Sequence, residues 1–324
     1  MPRREFTRSP FAQSLMEHAV ADRRRRDPST GRQPRPWWFD DWTEGLYPEI
    51  RAAARSYVEV SKMKLHSHAA AVHSSMAFAF NLFLPFRVWG AAPLGRVLSG
   101  ALGRVVTVEA VEFEYCDTDD ILGEWVGATR SVDDKATTAD VAVVVVDENR
   151  KRGVVLIEVK CGEEGFTACN GRDSAGNRRK DVCASAARFL KEPRSCYLTH
   201  TYRATKDRRY WDIFEKEFGS VEKAFPTVET GQPCPFAGDN QQPMRNHALA
   251  LGLVQAGKFD FSHFGLVHHD RNPDIPPKWD AYVARTSAGS ALFSLSASSL
   301  LDVPSAAGPL FADWKHYVRE RYAL

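Results

Sequence analysis

The stretch TADVAVVVVDENRKRGVVLIEVK, residues 138–160, decides the fold. After Asp140 it runs through Val141 to Val146 with no polar residue, and all but Ala142 are valine. A continuous β-branched run of this kind reads as a strand buried on both faces. GVVLIEVK (153–160) reads as a second strand, carrying Glu158 and Lys160 at its far end. Between them DENRKRG (147–153) is charged and closed by a glycine, which predicts an antiparallel hairpin. Centred on Arg150, that hairpin sets Asp140 opposite Lys160 and Ala142 opposite Glu158, the small alanine leaving room beside the carboxylate. Residues two apart on a strand share a face, and so do opposed partners. Asp140, Glu158 and Lys160 are therefore expected together at the open end of the hairpin. A slip of one residue would turn Asp140 to the other side of the sheet.

Upstream, RVVTVEAVEFEY (104–115) alternates apolar and polar residues and predicts a half-exposed strand. Before it, Ile50, Ala53, Ala54, Tyr57 and Val58 recur at helical steps. Val72, Met76, Phe80 and Phe83 do so in a second helix that Pro85 is expected to end. Downstream, residues 161–182 are polar and Gly-rich. Helices are predicted over 182–190, 210–218, 244–256 and 310–322, with a strand at 263–267. The order is that of one mixed α/β domain with peripheral helices.

The chain has 324 residues, 44% hydrophobic and 26% charged, with a formal net charge of +2. That near-balance excludes a globally basic coat for nucleic acid. It conceals a basic start, since residues 1–36 hold nine arginines, Arg23–Arg26 among them, against four acids. Residues 1–45 are accordingly expected to be a basic, flexible arm, and 46–324 the folded domain. The most apolar segment, Met76–Phe86, is interrupted by Asn81 and Pro85, and the opening MPRREFTRSPF carries no apolar leader. Six cysteines without regular short spacing suit a reducing cytoplasm, the expected location.

Two carboxylates and an ammonium at the end of buried strands are costly unless compensated. A hard divalent cation such as Mg²⁺ (or Mn²⁺) takes oxygen ligands from one or two carboxylates and from substrate phosphate. It can polarise a phosphodiester and activate water, and an adjacent lysine can steady the developing charge. The reading that follows is metal-dependent phosphodiester hydrolysis. The competing reading of Asp140, Glu158 and Lys160 is a structural ion pair at a strand end.

The segment 138–160 also resembles the core of the PD-(D/E)xK, or restriction-endonuclease-like, nucleases, with Ala139 in place of the proline. HSSMAFAFNLFLPF (73–86), ILGEWVGATRS (121–131), RYW (209–211) and CPFAGDNQQPMRNHALA (234–250) are similar to blocks of a bacterial group with this core. The resemblance implies a restriction-endonuclease-like mixed central sheet flanked by helices. It also implies a Mg²⁺-dependent nuclease acting on nucleic acid, DNA favoured over RNA. Asp140, Glu158 and the Val159 main-chain carbonyl would hold metal, and Lys160 would assist the attacking water. Gln242 would support the site from a following helix, with Arg245 as a phosphate contact there. The alternative for both is a helix-capping surface role. Where relatives carry an acid on the first helix this chain has Ser75 and Asn81. Glu114 and Glu124 are possible extra acids, read more simply as surface or sheet-edge carboxylates. Some nucleases of this kind carry an iron–sulfur cluster, for which Cys169, Cys183, Cys196 and Cys234 are candidates, as they are for Zn²⁺. The absence of a C-x₂-C pair argues against both. Arg208 and Arg209 in RATKDRRYW (203–211) could meet phosphate, with Tyr210 and Trp211 either stacking on bases or filling the core. His268, His269 and Asp270 follow a strand end and could form a metal patch, but no third ligand cluster supports that, and they read as a solvated strand end. The alternative from another class is a nucleic-acid-binding or scaffold protein that keeps the fold without cleavage.

Overall fold

The computed structural model describes residues 9–27, 35–125, 136–169, 171–199, 207–229, 231–287, 291–302 and 308–324. Arg3, Arg4, Arg8 and Arg32 of the basic start, residues 126–131 of the 121–131 block and Tyr202–Lys206 lie outside them. Five strands form one sheet in the order β1 (Val106–Tyr115), β2 (Ala139–Asp147), β3 (Arg152–Lys160), β4 (Phe261–His268) and β5 (Leu292–Ser296). β1, β2 and β3 pair antiparallel, and β3, β4 and β5 pair parallel. The helices are α1 (Pro10–Arg26), α2 (Arg51–Ser61), α3 (Ser75–Trp89), α4 (Ala92–Leu102), α5 (Lys180–Cys183), α6 (Ala186–Lys191), α7 (Tyr210–Phe218), α8 (Val221–Ala224), α9 (Gln241–Gln255), α10 (Ile275–Val283), α11 (Ala297–Leu301) and α12 (Pro309–Tyr322).

The valine-rich strands are buried on both faces. Val141, Val143, Val145, Val155, Ile157 and Val159 join a core with α3, α4, α11 and α12. Ala142, Val154 and Leu156 join a second core with α7, α9 and α10. Three layers result, helices on each side of a mixed sheet, with Glu158 and Lys160 on the α9 side by strand alternation. Two glycines let the sheet close. An added Cβ on Gly153 would lie 2.2 Å from the ring of Phe261, its partner on β4, and one on Gly265 would lie 2.2 Å from the ring of Phe293 on β5.

The hairpin forms in a register other than the one centred on Arg150. Val141 opposes Ile157 and Ala142 opposes Leu156. The reason lies in the turn. Asp147 accepts N–H bonds on Oδ1 from Asn149 (2.8 Å) and Lys151 (2.9 Å), and Arg150 takes a left-handed φ of 60°. A three-residue loop, 148–150, is thereby closed, and its middle residue is Asn149. The shift is by two positions in pairing, so each side chain keeps its face. Continued by one step, the observed register sets Asp140 opposite Glu158.

Pro85 does not end α3, which continues to Trp89. A proline at 85 leaves the Asn81 carbonyl without its helical donor. Trp314 Nε1–H fills the gap, donating to Asn81 O at 2.6 Å. The Asn81 side chain is equally engaged: Oδ1 accepts from Tyr47 N–H at 2.8 Å, while Nδ2 donates to Gly45 O (2.9 Å) and the Tyr322 hydroxyl (2.8 Å).

The expected flexible arm contains α1. Ser9 caps it and Pro10 opens it, and Ala12, Leu15 and Ala19 bury one face. Arg23 is buried over the Phe39 ring and donates to Trp38 O at 2.5 Å. Asp22 meets Arg25 at 2.7 Å, Arg26 at 2.9 Å and Arg321 of α12 at 3.4 Å. Arg25 and Arg26 also meet Glu320 of α12, at 3.4 and 3.2 Å, so part of the basic run is matched by acid on the body. No described helix is long and apolar enough to cross a membrane.

Candidate active site

β2 and β3 bring Asp140 and Glu158 to one rim of the sheet, where they line a cleft of about 490 Å³ with Lys160, Val159, Thr138, Glu114 and Gln242. The N-terminal turn of α3 contributes Ser74, Ser75 and Met76, and the segment before it His66, His68 and His73. Glu158 is buried and fully gripped. Its Oε1 lies 2.8 Å from Lys160 Nζ and accepts from Gln242 Nε2 at 2.7 Å, and its Oε2 accepts from Asn246 Nδ2 at 2.8 Å. Gln242 and Asn246 stand four apart on α9 and so share the face turned to β3. Gln242 Oε1 in turn accepts from Lys160 Nζ at 3.2 Å and from the Thr167 N–H at 3.0 Å.

Asp140 is held from the backbone: its Oδ2 accepts from the Val159 N–H at 2.7 Å. Burial at the strand ends, with the negative charges of Glu158 and Glu114, pushes its carboxyl well above the usual range against the pull of Lys160 and that N–H. At Lys160 burial works against the ammonium, but Glu158, Glu163 and Asp140 outweigh it and raise the pKa. The rim thus carries more negative charge than one lysine balances, which suits a cation.

The remaining candidates divide sharply. Asn81 is buried in the core, whereas Ser75 lines the cleft. Glu124 is neither surface nor edge but buried. Arg245 Nη2 donates to it at 2.7 Å and Arg245 Nε donates to Thr137 Oγ1 at 3.0 Å. Tyr210 hydroxyl also donates to Glu124. Arg245 is thus part of a structural ion pair rather than a contact offered to phosphate. Arg208 donates to Leu198 O at 3.3 Å and Arg209 to Asp120 O, and neither lines the cleft. Tyr210 and Trp211 fill the core. His269 is buried, its Nε2 2.6 Å from Tyr322 O, so that strand end is not solvated there.

Asn246 escaped the sequence reading, although its i, i+4 relation to Gln242 was available there. His66 and His68 also escaped it, for they carry no periodic signal and reach the rim only through the turn that precedes α3.

A mixed sheet flanked by helices, with an Asp and a Glu-x-Lys on adjacent antiparallel strands, defines a restriction-endonuclease-like α/β protein. The chain belongs to the family described as "restriction endonuclease associating with ARP" (REase-ARP), whose profile matches residues 16–323. No curated protein and no solved structure matched the chain.

Proposed function

We propose that the protein is a Mg²⁺- or Mn²⁺-dependent nuclease that hydrolyses phosphodiester bonds, with DNA the favoured substrate. The observation that carries this reading is the meeting of Asp140 and Glu158 in one cleft at the end of the β2–β3 hairpin, with Lys160 Nζ 2.8 Å from Glu158. Asp140 and Glu158, two of the carboxylates that line the cleft, are the kind of donors Mg²⁺ uses, since it takes one or two carboxylates and completes its shell with water and substrate phosphate. Asp140 and Glu158, with the Val159 main chain between them, would hold the ion. When bound, it supplies a Lewis acid for the phosphoryl group and a more acidic water.

Each side chain then has a task. Lys160 donates to the attacking water or to a non-bridging phosphate oxygen, steadying charge as it develops. Gln242 joins Glu158 and Lys160 through its two amide atoms and fixes their separation. Asn246 holds the second Glu158 oxygen. His66 and His68, exposed at the cleft mouth, are placed to meet the phosphate backbone of an entering strand.

The test is cleavage of linear, circular and single-stranded DNA, and of RNA, by the full chain with Mg²⁺ or Mn²⁺. Asp140→Asn and Glu158→Gln are each expected to lower the rate by about 100-fold or more. If wild type and Glu158→Ala gave the same products at the same rate, this reading would fail.

A further inference from the structure

An aromatic corner stands at the mouth of the candidate active site. Trp38 forms an antiparallel bridge with Ala71, flanked by bonds from the Phe39 N–H to Ala70 O at 2.8 Å and from the Val72 N–H to Trp37 O at 3.1 Å. Opposed partners in such a bridge share a face, and their neighbours along the chain take the other. Phe39 and Val72 accordingly pack together with Ala19 in a small core. Ala71 lines the cleft, which puts Trp38 on the cleft side of the bridge and the exposed Trp37 on the far side.

The rings next to Trp38 belong to the cleft wall. His68 stands edge-on to Trp38, with ring centroids 5.9 Å apart and planes at 73°. It lies 5.5 Å from the ring of His66, whose plane is tilted by 35°. Both histidines line the cleft and are exposed, and Trp38 is half-buried. His66 Nδ1 accepts the His68 N–H at 3.2 Å, which leaves Nε2 of that ring as a donor. A flat aromatic group laid against one ring of this corner meets the edge of another, and π systems favour both contacts.

The cleft itself says what such a corner receives. Its lining includes Glu114, Asp140, Glu158 and Glu163 with Lys160, so charge alone does not draw a phosphate in. Stacking on a ring face needs no charge and serves every base. At about 490 Å³ the cleft has the size of a small-ligand site, suited to a nucleotide rather than to a stacked duplex. A paired base inside a duplex has both faces covered, so only an unpaired or extruded base can lie on a ring. We propose that Trp38 and His68 form a stacking platform for an unpaired base, with His66 donating to the adjoining phosphate. The cleft thereby selects single-stranded nucleic acid, or a single-stranded end, over continuous duplex. This inference rests on the nuclease reading of the cleft and narrows its substrate.

Fluorescence anisotropy of the full chain in EDTA measures binding to a short fluorescein-labelled oligothymidylate. A blunt duplex of the same length and a strand of the same length made of abasic residues are measured beside it. The thymine strand is expected to bind about 10-fold or more tightly than either. Trp38→Leu and His68→Ala are each expected to weaken its binding by about 10-fold. Trp38→Phe and His68→Phe, which keep a ring, should retain it, as should Trp37→Leu on the far face.

Equal affinity for the thymine and abasic strands, equal affinity for the duplex, or no binding of the thymine strand would overturn the proposal. So would undiminished binding by both Trp38→Leu and His68→Ala, or a loss in Trp37→Leu as large as in Trp38→Leu. The abasic comparison uses the unaltered chain and decides the matter even if a variant does not fold. Because no metal is present, these affinities are read apart from cleavage. A chain that binds the thymine strand in this way but cuts nothing with Mg²⁺ or Mn²⁺ would sink the nuclease reading alone.

Discussion

Gln242, on the first turn of α9, donates from Nε2 to Glu158 Oε1 at 2.7 Å, joining a helix to the strand that carries the candidate catalytic acid. The same side chain accepts from Lys160 on Oε1 at 3.2 Å, so one amide sets both charged groups of β3. Its orientation is fixed by the Thr167 N–H, which requires the oxygen on that side.

Substituting that amide separates positioning from direct participation. Gln242→Ala is expected to lower cleavage and metal affinity by about 10- to 100-fold, the usual cost of removing a partner that orients a ligand. Asn246→Ala should do the same from the other oxygen. Metal titrations of the cleavage rate would check it. A smaller apparent metal affinity with kcat largely recovered at saturating Mn²⁺ is the expected pattern, and an unchanged titration would remove Gln242 from the site.

Arg245 and Glu124 form a buried ion pair, and this makes Arg245 a stability residue. Burial alone would raise the Glu124 carboxyl, but Arg245, the Thr137 N–H and the Tyr210 hydroxyl hold it below its ordinary range. Arg245→Ala leaves that carboxylate buried and unpaired, at an expected cost of about 3–5 kcal/mol. The double substitution Arg245→Met with Glu124→Gln should recover much of that loss. Urea melts of the single and double variants measure it. A phosphate contact would instead weaken nucleic-acid binding and leave the melt unchanged.

Gly153 is required by a neighbour rather than by its own backbone. Gly153→Ala pushes a methyl into the Phe261 ring, where a Cβ would sit 2.2 Å away. Overpacking of this kind costs about 1–3 kcal/mol. Phe261→Leu should relieve part of the clash, so the two substitutions are expected to be strongly non-additive in a double-mutant cycle. Additivity would mean that the ring does not lie across the glycine.

His247 makes the fold sensitive to acid. It is buried in the second core with Nδ1 2.9 Å from the Tyr282 hydroxyl, and burial drops its pKa to about 3. The unfolded chain protonates this ring near pH 6.5, whereas the folded chain does so only near 3. Between those values the unfolded state binds more protons, so stability falls as pH falls, by at most about 1.4 kcal/mol per pH unit for one group. His247→Gln is expected to flatten the pH dependence of the denaturation midpoint from pH 6 to 4. An unaltered slope would show that other groups govern acid unfolding.

The chain itself determined the central hairpin. An unbroken valine run can only be satisfied by burial on both faces, and strand alternation then places Asp140, Glu158 and Lys160 on one side whatever the turn does in steps of two. Local chemistry also announced α7 and α12 within a residue. The centre of the hairpin was a closer matter, because it depends on Asp147 bending back to the N–H groups of Asn149 and Lys151 and on Arg150 adopting a left-handed φ. Pairing that reaches across the molecule belonged to the tertiary structure alone. Trp314 rescues the carbonyl that Pro85 leaves bare, so a helix continues where local rules would stop it. Arg321 and Asp22 meet across the whole chain and dock α1, which by composition looked like a free tail. Asn246 reaches Glu158 because long-range packing can join positions that lie far apart in sequence.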